Sequence, residues 1–103
     1  MGQKSKFEQT MASATGDQAS ERFAGGPATV HLAGTFNSST IIVESSADGT
    51  NFVAITDITG DAVSATSDAF FNVSLPQDGL VRFSITGTTT SVVGVITQAT
   101  SLV

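Results

Sequence analysis

Apolar and polar residues alternate with a period of two along most of this chain. In "ATVHLAG", Val30 and Leu32 fall on one side of an extended segment and Thr29 and His31 on the other. The same alternation runs through "TIIVESS", "NFVAITD", "AFFNVSL", "LVRFSIT" and "SVVGVITQATSLV", with a shorter, weaker piece at "DAVSA". Clusters of Gly, Asp, Ser and Thr bound each run, and no run repeats its apolar residues at helical spacing. The pattern predicts six to eight short strands and an all-β fold: an antiparallel β-sandwich, immunoglobulin-like or jelly-roll, with a small barrel as the competing architecture.

Parity sharpens the prediction at two Asp-Gly pairs, because a one-residue change in loop length flips one strand relative to its partner. With Ala47-Asp48-Gly49 as the first loop, Val43 faces Val53 and Ile41 faces Ile55. With Gln77-Asp78-Gly79 as the second, Leu75 faces Val81, Val73 faces Phe83 and Phe71 faces Ile85. Two-residue loops would set Leu75 against Arg82 and Val43 against Ala54. Both sites are therefore expected to be hairpins with three-residue loops, in which Asp48 and Asp78 bond turn backbone and Gly49 and Gly79 take positive φ.

The expected core follows: Val30, Leu32, Ile41, Val43, Val53, Ile55, Phe71, Val73, Leu75, Val81, Phe83 and Ile85, with Val93 and Val95 from the last strand. The opposite phase is not uniformly polar, since it holds Ile42, Phe52, Phe70, Leu80 and Val92. Scattered, these are ordinary surface residues or lie under loops; clustered, they mark a subunit interface.

Residues 1–26 show no sustained periodicity and end at Gly25-Gly26-Pro27, which reads as a linker. The chain divides on this reading into an N-terminal arm, residues 1–26, and a sandwich domain, residues 27–103. The arm is either flexible or ordered on a neighbouring subunit, with Phe7, Met11 and Phe23 as apolar anchors and Lys4, Lys6 and Arg22 as polar contacts. Its deletion should leave the sandwich folded and weaken partner binding.

Composition narrows the chemistry. The chain has 103 residues, no cysteine, one histidine and a net charge of −5. Residues 1–27 are neutral, so residues 28–103 carry the whole negative charge, which opposes nucleic-acid binding. Without Cys, and with His31 alone, there is no thiolate or histidine cluster for a transition metal, and no cofactor is expected. No nucleophile-elbow motif nominates a serine partner for His31, and the body's acids fall mostly in loops, where turn stabilisation accounts for them. The start "MGQKSK" departs from a myristoylation signal by carrying Lys6 at the Ser/Thr position, and no run is long enough to span a membrane. The expectation is a non-enzymatic protein without a membrane role.

The stretch "GTFNSSTIIVESSADGTNFVAITDITG" places Gly34-Thr35-Phe36 before a strand ending at Glu44, then Ser46, Asp48-Gly49 and Phe52; "LPQDGLVRFSITG" follows later. This arrangement, over roughly residues 30–97, resembles small β-sandwich virion proteins of tailed bacteriophages. The "S-x-D-G-x-x-aromatic" hairpin is similar also to discoidin-like and fibronectin-like modules, although Phe52 stands where many of those carry Trp. The resemblance implies a virion structural protein, foremost a capsid decoration (cement) protein. It would be a homo-oligomer, a trimer in the leading form, bound to the major capsid protein or another virion protein. A head-tail connector, tail or fibre-associated subunit is the alternative. A carbohydrate-binding module is a further alternative, which the lack of Trp and Tyr opposes.

Overall fold

Val, Ile, Phe and Thr at alternate positions suit a pleated surface buried on one side, and the chain forms strands at these runs. The computed structural model describes residues 6–76 and 79–98, and these contain ten β-strands and no helix. The strands are β1 (Lys6–Ala12), β2 (Gly16–Asp17), β3 (Glu21–Phe23), β4 (Gly26–Thr35), β5 (Thr40–Ser46), β6 (Val53–Ala54), β7 (Ser64–Ala65), β8 (Ala69–Leu75), β9 (Gly79–Thr86) and β10 (Ser91–Gln98). All pairings are antiparallel. One sheet has the order β1-β10-β4-β8; the other runs β2-β9-β5-β6, with β3 also on β9 and β7 also on β5. The two sheets pack into a β-sandwich, as the sequence pattern predicts.

The segment expected to be an arm is part of this sandwich. β1 pairs with β10 along its whole length, from Lys6 opposite Thr97 to Ala12 opposite Ser91. Phe7 and Met11 therefore point inward and are buried, and Phe23 on β3 is buried from the opposite sheet. β2 and β3 run together along β9 with a one-residue change of register between them, Gly16 lying opposite Ile85 but Glu21 opposite Val81. The division at residue 26 does not hold for the described residues: Lys6 onward belongs to the sandwich. Phe7, Met11 and Phe23 are core residues of their own chain, because burying them on its two sheets requires no neighbour.

The two expected hairpins also differ. β8 pairs with β4 while β9 pairs with β5, so "AFFNVSL" and "LVRFSIT" lie in opposite sheets and the chain crosses the sandwich between them. Gly79 is the first residue of β9 and does not have positive φ; a Cβ there would meet Ser46 O at 2.8 Å. Gln77 and Asp78, also assigned to that turn, lie outside the described residues. At the first site β5 does pair with β6, but through Glu44 opposite Ala54 and Ser45 opposite Val53, so the connecting loop is longer than three residues. The parity survives, since Ile55 lies beside Val43 with its N–H on Val43 O at 3.0 Å. The register puts Val53 at the sheet end, where it is 67% exposed instead of buried.

The core is built round Phe83. Its ring stacks on Phe7 with centroids 5.7 Å apart, and a Cβ on Gly94 would lie 2.5 Å from its Cζ. The glycine is thus a place for the ring, and it decides the phase of β10: Val92, Gly94 and Ile96 face inward, while Val93 and Val95, expected in the core, face outward and are half-buried. Ile55 and Phe71 are only partly buried against the core, and Phe36, Val63 and Ala65 join it.

Between β6 and β7 the chain makes a small hairpin that leaves its own sheet. Thr56 bridges Ala62, Asp57 bridges Val73 of β8, and the Ile58 N–H donates to Asn72 O at 3.0 Å. This excursion joins the two sheets along one side of the sandwich and brings Ile58 beside the edge of β8.

Candidate interaction surfaces

Alternation that fills the interior with one set of side chains places the complementary set on the outside. Across the β1-β10-β4-β8 sheet, register aligns Glu8, Val95, His31 and Phe70 in one outward row. Thr10, Val93 and Ala33 lie in the next row on one side; Lys6, Thr97, Thr29 and Asn72 form the row on the other, which Ile58 extends at the β8 edge. The face is apolar at its centre and threonine-rich round it. Phe70 is 71% exposed and Ile58 69% exposed. The His31 ring lies flat against Phe70, with centroids 4.2 Å apart and planes 9° from parallel, so the lone histidine is a stacking partner. Charge on the face is confined to its edges: Lys6 pairs with Glu8 at 3.7 Å, and at the opposite edge Asp68 accepts the Gly34 N–H at 2.9 Å.

The outer face of the second sheet is different. Arg82 Nε donates to Glu44 Oε1 at 2.8 Å, its Nη2 lies 3.3 Å from Asp17 Oδ2, and the guanidinium sits 4.0 Å from the centroid of Phe52. Two carboxylates and an aromatic ring thus surround Arg82. The cluster is a clasp holding β2, β9, β5 and the loop after β5.

The Asp48-Gly49 loop completes the clasp. Asp48 Oδ1 accepts from Ser46 Oγ, Thr50 N and Asn51 N, each at 2.8 Å, and Oδ2 accepts from Asn51 Nδ2. These bonds, led by the backbone of Asn51 and Thr50, hold its carboxyl far below the ordinary value of 3.8. Gly49 has φ +83°, the left-handed conformation expected of it. In the neighbouring hairpin the Thr59 hydroxyl, with backbone N–H donors, lowers Asp57 in the same way. Asp48 and Asp57 accept from backbone N–H groups and side-chain donors of their own loops, which is what the turn reading predicts.

The residues nominated for partner contact are dispersed. Lys6 is on the outer face of β1, Arg22 is exposed on β3 opposite Leu80, and Phe7, Met11 and Phe23 are interior; Lys4 lies outside the described residues. No group of three or more His, Cys, Asp or Glu residues suited to a metal occurs among the described residues. The exposed row ending in Phe70 was legible as the apolar opposite phase of "AFFNVSL", but Ile58 was not, because only the excursion of its hairpin brings it there.

Compared with protein-family models, curated proteins and solved structures, the chain matches none.

Proposed function

We propose that this chain is a non-enzymatic structural protein of a tailed-phage virion, a capsid decoration protein that adds to the shell and holds it together by contact. The observation that carries this reading is the outer face of the β1-β10-β4-β8 sheet, where Phe70 and Ile58 stand exposed beside Val95 and Val93. An apolar surface of this kind on a small domain marks a protein-protein contact. The resemblance over residues 30–97 supplies the virion setting, and its motif has a structural account here: Glu44, Ser46, Asp48, Gly49 and Phe52 are the clasp around Arg82 and its loop. The partner is the major capsid protein, and the sheet face takes over the contact role that the sequence assigned to an N-terminal arm. A ligand of the assembled shell stabilises it by mass action against disruption.

Co-sedimentation with expanded capsids tests the proposal. Saturable binding in hundreds of copies, weakened in Phe70→Lys, is the expected result; binding at about a dozen copies would favour a connector or tail subunit, and no binding would overturn the virion reading. The exposed Phe70 ring also favours a second reading, a carbohydrate-binding module using an aromatic platform. Glycan binding lost in Phe70→Ala, with no capsid binding, would establish that reading instead.

A further inference from the structure

The two edges of the β1-β10-β4-β8 sheet are not treated alike. β8 is capped by the excursion between β6 and β7, where Asp57 bridges Val73 and the Ile58 N–H donates to Asn72 O. β1 pairs with β10 on one side and, among the described residues, with no strand on the other. We infer that this free edge of β1 pairs antiparallel with β1 of a second copy of the chain, joining the two sheets into one across a two-fold axis at Gln9.

The ladder shows which backbone groups the edge offers. Ser13, opposite Thr90 by continuation of the β1-β10 register, donates its N–H to Thr90 O at 3.1 Å. Met11 O accepts the Thr89 hydroxyl from the same side. Alternate residues of a strand turn their N–H and C=O to opposite edges. Phe7, Gln9 and Met11 therefore bond β10, and Lys6, Glu8, Thr10 and Ala12 direct their backbone groups away from it. Edges left free are usually blunted by Pro, a bulge or a covering segment, but "KFEQTMA" has no Pro and its register runs unbroken from Lys6 to Ala12. Its Lys6 and Glu8 form an ion pair with each other, so the strand is neutral in a chain of −5.

Few registers suit a two-fold pair of such edges, because outward-directed residues must meet outward-directed residues. An axis at Glu8 sets two carboxylates directly opposite, which is destabilising. An axis at Gln9 pairs Lys6 with Ala12 and Glu8 with Thr10 of the second copy, and the reverse, so that every outward-directed residue of β1 is used and no like charges stand directly opposite. An axis at Thr10 leaves Lys6 beyond the end of the other strand. Gln9 supplies the independent observation. It is half-buried between Phe7 and Met11, and its Oε1 is enclosed without a hydrogen-bond partner, a state that costs stability. On the axis the two Gln9 residues make a non-hydrogen-bonded pair with Cα atoms about 4.5 Å apart, the spacing at which facing side chains come closest. A turn of each side chain then lets each Nε2 donate to the other's Oε1.

Such an axis runs perpendicular to the joined sheet, so the two Phe70 faces point the same way and stay open. The pairing therefore goes beyond the shell-binding reading and does not depend on it.

Sedimentation and amide hydrogen exchange of the full-length chain, from low micromolar to near-millimolar concentration, test the inference. With rising concentration the wild type should reach twice the 10.5 kDa mass of one chain. The Glu8 and Thr10 amides should at the same time gain at least about tenfold protection, while those of Gln9 and Met11 are protected throughout. Thr10→Pro removes an outward donor but no bond to β10, so it should melt close to the wild type and raise the dissociation constant at least about tenfold, each copy losing one bond across the axis. Phe70→Lys should dimerise like the wild type. A wild type that is monomeric or trimeric throughout, a dimer whose Glu8 and Thr10 amides stay unprotected, or a dimer that Phe70→Lys breaks and Thr10→Pro does not, would overturn the inference. Should Thr10→Pro unfold, amide protection in the wild type decides alone. Capsid binding on the same samples keeps the two readings apart: a dimer with protected Glu8 and Thr10 amides that ignores shells supports the pairing and removes the virion role.

Discussion

Asp48 shows how a residue suggestive of chemistry can be fully employed by its own loop. One oxygen accepts three hydrogen bonds within the turn, and Gly49 then turns the chain at φ +83°. A β-branched side chain is strained in that conformation, so Gly49→Val should lower unfolding free energy by roughly 1–2 kcal/mol, read from urea denaturation. The same loop gives a pH dependence with a definite sign. Asp48 is held below its ordinary 3.8, so its contribution is fully present above that value and is lost as pH falls below it toward the folded-state value. The melting temperature should fall as pH drops through this range. Asp48→Asn should begin lower at neutral pH and decline less steeply, because it no longer has the proton to take up.

At the scale of the element, β1 is the main departure from expectation. "KFEQTMA" places Phe7, Gln9 and Met11 inward, and the polar residue in the middle interrupts the apolar alternation that would have marked a strand. Its stability comes from β10, distant in sequence, which supplies the complete ladder. Deleting residues 2–26 should therefore abolish cooperative unfolding, since it removes β1, β2 and β3 together with three buried side chains. Phe7→Ala alone should destabilise by about 3–5 kcal/mol through the cavity beside Phe83. A truncated chain that unfolds like the wild type would restore the arm.

For the whole molecule, the decisive contact is Gly94 under the Phe83 ring, across the two sheets. Read along the strand, Gly94 is a gap in one apolar phase, and the valines at 93 and 95 are the expected inward pair. The ring from the other sheet fills the gap and reverses that choice. Gly94→Ala should destabilise by about 1–3 kcal/mol, because a Cβ 2.5 Å from Phe83 Cζ forces the ring or a strand to move; denaturant midpoints would show it. The reversed phase also sets the surface, since Val93 and Val95 now lie outward beside His31 and Phe70.

Local alternation determined by itself that the chain is all-β, and most of the inward residues from Val30 to Ile85, because period-two burial is written directly in side-chain order. It also determined the Asp48-Gly49 turn, whose bonds are local. Tertiary structure decided what pairs with what. Leu75 and Val81 share an inward parity whether their strands are neighbours in one sheet or face each other across the core, so parity could not tell a hairpin from a crossing between sheets. It likewise decided that Phe7, Met11 and Phe23 are interior, and that Ile58 and Phe70 share one face. Those outcomes depend on partners far along the chain, and no local pattern carries the energy of a contact that exists only after the sheets have met.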